Sequence, residues 1–296
     1  MYKRQLYATL LQHGYHPHCW RQATCAIIRK PGKPDYSTPK AYRPISLLNC
    51  LGKISEKLMA TRLSFLAEKH GLLHPDQMGG RPGRSAVDAG LTLRTIVDLA
   101  HNNNLTTTAL FMDVKGAFDN VARPRLVRTL EDMSLPTPLT RWVDTFLSNR
   151  QLAIALDSEM GPMEPVLTGI PQGSPISPIL FLLYLKPLFD TLYKRFPDLH
   201  FPSFMDDVSL VATGKSEAAN VRTLTQAAQV AFDWGKNNAV AFDDPKSELM
   251  HFHRRRNTPN TTLTLPNGTT IAPQPVLRWL GTVSYTHLTL PTKRIV

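Results

Sequence analysis

Phe201-Pro202-Ser203-Phe204-Met205-Asp206-Asp207-Val208-Ser209-Leu210-Val211-Ala212 decides how this chain is read. Two adjacent carboxylates interrupt an otherwise apolar run, which reads as a hairpin. Upstream, Thr107 to Val114 is β-rich and closes on Phe111-Met112-Asp113-Val114, a third carboxylate at the end of an apolar strand, before Gly116 breaks the run. An ionised carboxylate away from bulk water is costly unless paired or metal-bound, and neighbouring carboxylates raise one another's pKa. Both costs vanish if the strand ends meet and hold hard divalent cations. Oxygen ligands suit Mg²⁺, which takes its remaining ligands from water and substrate phosphates. Two such ions, ~3.5–4 Å apart, activate a 3′-hydroxyl and stabilise a leaving pyrophosphate. The reading places the Asp113 and Asp206 carboxylates within one ion's reach, roughly 4–6 Å. Asp206-Asp207 alone reads equally well as a solvated turn tip, because Asp is an ordinary turn residue.

Around these sites the chain alternates strands and helices. Residues 24–30 read as a strand, Pro31-Gly32-Lys33-Pro34 as a turn, and 41–48 as a second extended run. A helix is predicted from about Leu51 to Lys69, with Ile54, Leu58, Phe65 and Leu66 as its apolar face and Gly71 past its end. A second spans about Ala86 to Asn102 with Ser85 as N-cap, after the irregular loop Gly79-Gly80-Arg81-Pro82-Gly83-Arg84. A third runs from about Val121 to Met133, with Pro124 in its first turn. Residues 151–168 read as short strands joined by Gly161-Pro162. Ser177-Pro178 opens an intensely apolar helix that Pro187 should kink or end. Ser216 caps another to about Asn238, with Val221, Leu224, Ala228 and Ala231 at helical spacing. The strands cluster as β–α–β–β–α–β around 107–252, an antiparallel α+β layer rather than a doubly wound sheet.

Composition narrows the classes. The hydrophobic fraction of 42% and charged fraction of 19% exclude a wholly disordered chain or a fibre. At about 150 residues per domain, 296 residues suggest two modest domains or one large one. Three cysteines are too few and too odd in number for a disulfide scaffold, which points to a reducing compartment. No apolar run reaches membrane-spanning length, and Met1-Tyr2-Lys3-Arg4 has no signal core, so no membrane partner is expected. Lys+Arg 34 against Asp+Glu 23 leaves a net +11, a surplus that attracts phosphate backbones or simply solvates a basic surface. Between the two acidic sites, Gly169-Ile170-Pro171-Gln172-Gly173-Ser174-Pro175-Ile176-Ser177-Pro178 leads backbone-shaping residues into a helix N-terminus. Glycines permit close approach of a ligand and helix N-termini favour phosphate.

The order of these blocks resembles the reverse-transcriptase domain of a non-LTR (LINE-type) retrotransposon polyprotein, with fungal-type elements closest in flavour. Tyr42-Arg43-Pro44-Ile45-Ser46-Leu47-Leu48-Asn49 and Gln77 to Ser85 resemble the two fingers blocks. Phe111 to Asp119 resembles the palm block with the first metal aspartate, and Gly169 to Pro178 the template- and nucleotide-contacting block. Phe204-Met205-Asp206-Asp207 resembles the catalytic hairpin, Pro245-Lys246-Ser247-Glu248 the lysine block, and Arg278-Trp279-Leu280-Gly281 the start of the primer grip. The resemblance covers about residues 20–282. It implies an α+β right-hand polymerase with an antiparallel palm sheet packed on helices, divided into a linker (1–22), a fingers-like region (23–106) and a palm (107–282).

It implies roles as well. Asp113 and Asp206 would be the main ligands of two Mg²⁺ ions (Mn²⁺ as substitute), and Asp207 an accessory ligand or orienter. Phe118 would exclude a 2′-hydroxyl from beneath the sugar, or else be plain core. Gln172 and Gly173 would line nucleotide and template, and Arg43, with Lys40, would hold the triphosphate. Lys246 would protonate pyrophosphate or screen charge. Arg81 and Arg84 would touch template backbone, or be solvated loop charges, and Trp279 and Gly281 would contact primer. The activity implied is RNA-directed DNA synthesis: nucleotidyl transfer from dNTP to a DNA primer on an RNA template, inside the cell and in the nucleus where the element integrates. Its rivals are a catalytically silent nucleic-acid-binding remnant and a two-metal nuclease, the latter giving no reason for Phe118 or the Gln172 loop.

Some features depart from the pattern. Met205 stands where many relatives carry a smaller residue. Nothing after Gly281 corresponds to a thumb, so the chain is expected to be a fragment. Val283 to Val296 leaves the family pattern and is expected to be a non-native tail that packs against nothing. His16, His18, Cys19 and Cys25 fit no zinc spacing. Arg254-Arg255-Arg256 reads equally as a nucleic-acid contact or as solvated charge.

Overall fold

Apolar period, caps and turn residues set the elements, seen here in a computed structural model that describes residues 2–156, 159–253 and 261–285. In chain order they begin with α1 (Tyr2–His13), β1 (Gln22–Arg29), β2 (Tyr42–Leu47), α2 (Cys50–Lys69), α3 (Ala86–Asn102) and β3 (Thr106–Lys115). Next come α4 (Arg123–Asp132), α5 (Thr137–Leu147), β4 (Arg150–Leu156), β5 (Glu159–Val166), α6 (Ser177–Arg195) and β6 (Asp207–Gly214). The chain continues through α7 (Glu217–Asn237), β7 (Ala241–Phe242), β8 (Glu248–Phe252), β9 (Leu263–Thr264), β10 (Thr270–Ile271), β11 (Val276–Trp279) and β12 (Thr282–Tyr285). Two compact units emerge, one from 1–72 with 118–184, the other from 73–117 with 185–296. Each unit is drawn from two separate stretches of the chain.

The first unit is built on a sheet of order β2-β1-β4-β5, in which β1 runs antiparallel to β2 and parallel to β4. Residues 1–22, expected to be a linker, instead supply α1, whose Tyr7 and Leu10 bury against Trp20. Helix α2 starts where Asn49 accepts from the amides of Leu51 and Gly52. Its buried stripe is Gly52, Ser55, Glu56, Met59, Ala60, Leu63 and Ala67. Ile54, Leu58 and Phe65, expected inward, are 47%, 45% and 61% exposed. Gly52 allows that face a close approach: a Cβ there would already sit 3.2 Å from the Trp20 Cβ, while Met59 and Leu63 supply the apolar bulk. The 151–168 strands pair with each other and with β1, not with the β3 sheet, and Gly161-Pro162 lies inside β5 rather than at the joint. Pro187 neither ends nor breaks α6, which runs to Arg195. The lost backbone hydrogen bond is offset by burial of Leu183, Leu185, Leu188, Phe189 and Leu192 around it.

The second unit centres on β3, flanked antiparallel by β6 on one side and by β8 and β7 on the other. Ala89, Leu93, Ile96 and Val97 of α3 share a core with Ala109 and Phe111 of β3, Val211, Met250, Phe252 and Trp279. Helix α3 is opened by a reciprocal Ser85–Asp88 capping box, and α7 by Ser216, whose hydroxyl accepts from the Ala219 amide. β12 pairs antiparallel with β11 over Thr282–Tyr285, so the tail expected from Val283 starts inside a paired strand. Residues 286–296, and Arg254-Arg255-Arg256, lie outside the described residues. No described helix is long and apolar enough to cross a membrane.

Candidate active site

The β3–β6 register sets Asp113 opposite Asp207. The turn before β6 is a two-residue reversal: Phe204 and Asp207 exchange backbone hydrogen bonds at 2.9 and 3.0 Å, leaving Met205 and Asp206 at the tip. Met205 takes a left-handed φ of 55°, and the Asp206 carbonyl accepts from the Val114 amide at 3.1 Å. Thus the partner directly facing Asp113 is Asp207, with Asp206 held one step along by its backbone. All three are half-buried.

On the other edge of β3, the pairing strand interrupts itself. β7 pairs with Val114 and Lys115, β8 with residues 107–111, and the intervening 243–247 loops out through a single turn carrying Pro245. A proline cannot donate to a ladder, and the excursion brings Lys246 back to the end of β3. Its ammonium pairs with Asp113 and, at 3.0 Å, with Asp243, whose amide donates to the Asp113 carbonyl at 2.8 Å. Burial, then the charges of Asp206 and Asp113, push Asp207 up to about 6 against the pull of Lys246. Burial works to lower the Lys246 pKa but is outweighed by its hydrogen bonds to Asp113 and Asp243, so the ammonium is held protonated.

This donor set fits a hard divalent cation. Three carboxylates gather at adjoining strand ends and already draw in one cation, the Lys246 ammonium. Among the described residues no ready-made cage of three or more His, Cys, Asp or Glu side chains exists. Mg²⁺ typically binds through one or two carboxylates, with water and substrate phosphates completing its shell.

The other expected site residues divide between the units. Arg43 lies exposed on β2 opposite Ile28, Lys40 is exposed, and the Lys40 carbonyl accepts from Lys30 Nζ at 2.9 Å. The Gln172 carbonyl accepts from the Ser46 amide at 2.8 Å, and a Cβ on Gly173 would sit 2.9 Å from the Ser46 oxygen. The Gly169–Pro178 loop is therefore seated on β2. Gln172 also lines a cavity of about 220 Å³ shared with Ser46, Asp119 and Arg150. Half-buried Phe118 packs its ring 5.4 Å from Phe181, and its carbonyl accepts from the Ile170 amide at 2.7 Å.

In the second unit, Trp279 is buried against Phe111 with ring centroids 5.2 Å apart, a core position, whereas Gly281 is exposed with φ 76°. Arg81 Nη1 donates to the carbonyls of His74 and Gln77, both at 2.9 Å, and Arg84 Nη1 to that of Pro75 at 3.2 Å.

Two framework residues, Glu56 and Arg150, carry no local mark in the sequence, and a third, Gly169, has a steric role that its place in the glycine-bearing block did not specify. Glu56, fully buried on α2, takes the Ser174 hydroxyl, and burial pushes its carboxyl up despite that hydrogen bond. Arg150 Nη2 donates to the carbonyls of Thr168 and Gly169, both at 2.6 Å, while burial draws its pKa down to about 10. Gly169, at φ 78°, could not carry a Cβ, which would lie 2.7 Å from the Asp119 carbonyl oxygen. Gly169 already opens the block read from the sequence, whereas Glu56 and Arg150 are revealed by what they touch. His16 is walled by Trp20, Trp142 and Phe146, and Cys19 is exposed while Cys25 is buried in β1.

The chain matches the family described as Reverse transcriptase (RNA-dependent DNA polymerase) over residues 28–283. It is similar to the RNA-directed DNA polymerase from mobile element jockey of Drosophila melanogaster, 26% identical over 283 residues, which cover 93% of this chain and 30% of that one. Against the Retrovirus-related Pol polyprotein from type-1 retrotransposable element R1 of Bradysia coprophila, identity is 27% over 279 residues, covering 93% and 27%. The chain thus spans less than a third of the length of these relatives. Both are insect elements, and a fungal affinity is not shown by them. Among solved structures, apo telomerase from Candida tropicalis superposes with a TM-score of 0.61 at 10% identity, covering 93% of this chain and 49% of that one, a likeness of fold.

Proposed function

Because this chain belongs to the reverse transcriptase (RNA-dependent DNA polymerase) family, we propose that it performs RNA-directed DNA synthesis with the carboxylates at the ends of β3 and β6 as the reacting centre. The observation that carries the proposal is the pairing of Asp113 with Asp207 across that sheet, beside Asp206 and faced by Lys246. Asp113 and Asp206 would hold the divalent ions, with Asp207 as orienter. When bound, such ions supply Lewis-acid stabilisation of the phosphoryl oxygens and a more acidic 3′-hydroxyl. The polypeptide supplies the rest. The β3–β6 ladder fixes the carboxylates, so little reorganisation is needed as charge develops. Lys246, kept protonated by Asp113 and Asp243, neutralises Asp113 before substrate arrives and can hand its proton to pyrophosphate.

Arg43 and Lys40 would meet the triphosphate, Gln172 and Gly173 the nucleotide and template, and Phe118 the sugar. The substrates are a dNTP, a DNA primer and an RNA template, and the place of action is the nucleus. Family membership, the seating of the Gln172 loop on β2 and the net +11 support these assignments. The test is primer extension by the chain on RNA and DNA templates with Mg²⁺, alongside Asp113→Asn and Asp206→Asn. Extension on RNA that either substitution abolishes is the expected result. Template binding without extension by the unaltered chain would overturn the proposal.

A further inference from the structure

We propose that the loop 74–84 is a brace that sets the position of the Asp206-Asp207 turn, with Gly79 and Arg81 as its positioning residues; the inference rests on reading that turn as a cation site. Arg81 is thereby reassigned from touching template to holding the loop.

The brace runs alongside the turn as an added extended segment. Gln77 bridges Ser203 in parallel, the Met78 amide donates to the Ser203 carbonyl at 2.9 Å, and the Ser203 amide donates to the Asp76 carbonyl at 3.0 Å. One Asp76 carboxylate oxygen takes the Phe201 amide at 2.9 Å. The segment is anchored at one end by the His74 ring, packed 5.6 Å from Phe201 and 6.0 Å from Phe189. At the other end Arg81 closes it on itself through the carbonyls of His74 and Gln77. Gly79 then lies flat against the tip: an added Cβ would stand 2.6 Å from the Met205 amide nitrogen, 2.7 Å from the Met205 Cγ and 3.0 Å from the Phe204 ring. Backbone cannot yield as a flexible side-chain end can, so any larger residue here must push Met205. Met205 already holds a left-handed φ of 55°, and the next residue is Asp206, tied by its carbonyl to Val114 beside Asp113. Displacement at Gly79 therefore reaches the carboxylates through two bonded residues. Its side of the contact calls for glycine because of space, not because of its own φ.

The experiment is Mn²⁺ binding to the chain, followed by electron paramagnetic resonance, with folding checked by circular dichroism and thermal unfolding. Asp206→Asn must weaken Mn²⁺ binding; if it does not, the cation-site reading fails and takes the inference with it. With that established, Gly79→Ala should remain folded and bind Mn²⁺ about tenfold or more weakly, the scale seen when the support of a metal ligand is lost. Adding Met205→Gly to Gly79→Ala should recover part of the affinity, because it removes the Cγ contact and relaxes the turn. Gly83→Ala is the control: Gly83 lies in the same loop and, unlike Gly79, has a positive φ of 68°, but its Cβ would meet nothing, so the substitution carries strain without collision. Its Mn²⁺ affinity should match that of the unaltered chain. A folded Gly79→Ala that binds within about twofold of the unaltered chain would overturn the brace, twofold being well short of that expected loss. Should Gly79→Ala not fold, Arg81→Ala decides: weaker Mn²⁺ binding by folded protein supports the brace, and unchanged binding overturns it.

Discussion

Acid should weaken the first unit through one histidine. His16 is fully buried, its ring 5.0 to 5.6 Å from those of Trp142, Phe146 and Trp20, and neither ring nitrogen has a partner. Burial, and then the neighbouring Arg21 charge, lowers its pKa from 6.5 to about 4, a shift that the Trp20 backbone beside the ring, too poorly aligned to make a well-formed hydrogen bond, only partly counters. The unfolded chain takes up this proton near 6.5 and the folded one only near 4. The contribution is therefore complete above about pH 6.5 and is lost as pH falls toward 4. At 1.36 kcal/mol per pKa unit the full loss is about 3 kcal/mol, most of it between pH 7.5 and 4.5. Against a typical stability of roughly 5–15 kcal/mol this is a large share. His16→Leu keeps an apolar side chain of similar bulk and cannot titrate. Urea unfolding of both proteins at the two pH values isolates the effect from the carboxylates they share. The unaltered chain should lose about 2–3 kcal/mol more than His16→Leu on acidification. Equal losses would refute the reasoning, since the ring would then be reaching water or a partner when protonated.

Asp207, raised to about 6 chiefly by burial and then by Asp206 and Asp113, carries the opposite sign. Its ionised form burdens the fold above pH 6 and not below its unfolded value, so Asp207→Asn should stabilise the metal-free protein at pH 7.5 by ~1–2 kcal/mol, after allowance for partial exposure, and by less at pH 5; thermal unfolding at both pH values is the check. Glu56→Leu strands the Ser174 hydroxyl and should cost ~1–3 kcal/mol in urea unfolding, whereas Glu56→Gln, which keeps an acceptor, should cost less. Phe118→Val should relax sugar choice: a ring meeting a 2′-hydroxyl imposes ~1–3 kcal/mol, roughly 5- to 150-fold in kcat/KM between one dNTP and its rNTP. An unchanged ratio in primer extension would leave Phe118 as core beside Phe181.

Local chemistry made much of this chain legible. The Ser85 and Ser216 caps, the β-rich run ending at Asp113 and the carboxylates breaking the 201–212 hairpin lie within a few residues of what they determine. Helix α5 carries local marks as well: Pro136 and Pro138 frame its start, and Leu139, Trp142, Val143 and Phe146 bury at helical spacing. Along the site, the residue types alone marked Asp113, Asp206 and Asp207 as costly unless they meet.

What sequence could not decide depends on which surfaces meet. Composition favoured Ile54, Leu58 and Phe65 as the inner face of α2, yet packing chose the stripe from Gly52 through Glu56 and Met59 to Ala67, because helix approach is set by steric bulk on both partners. The 151–166 hairpin carries no mark of which sheet it joins; its parallel pairing with β1 is a long-range choice. A loop arginine looks the same whether it reaches solvent or backbone, and only the fold turns Arg81 inward onto His74 and Gln77. Most of all, register determined the pairs at the site. The sequence supplied Asp113, the adjacent Asp206-Asp207 pair and Lys246 at three distant places along the chain, and the antiparallel ladder, which advances one residue on each strand together, set Asp207 rather than Asp206 across from Asp113.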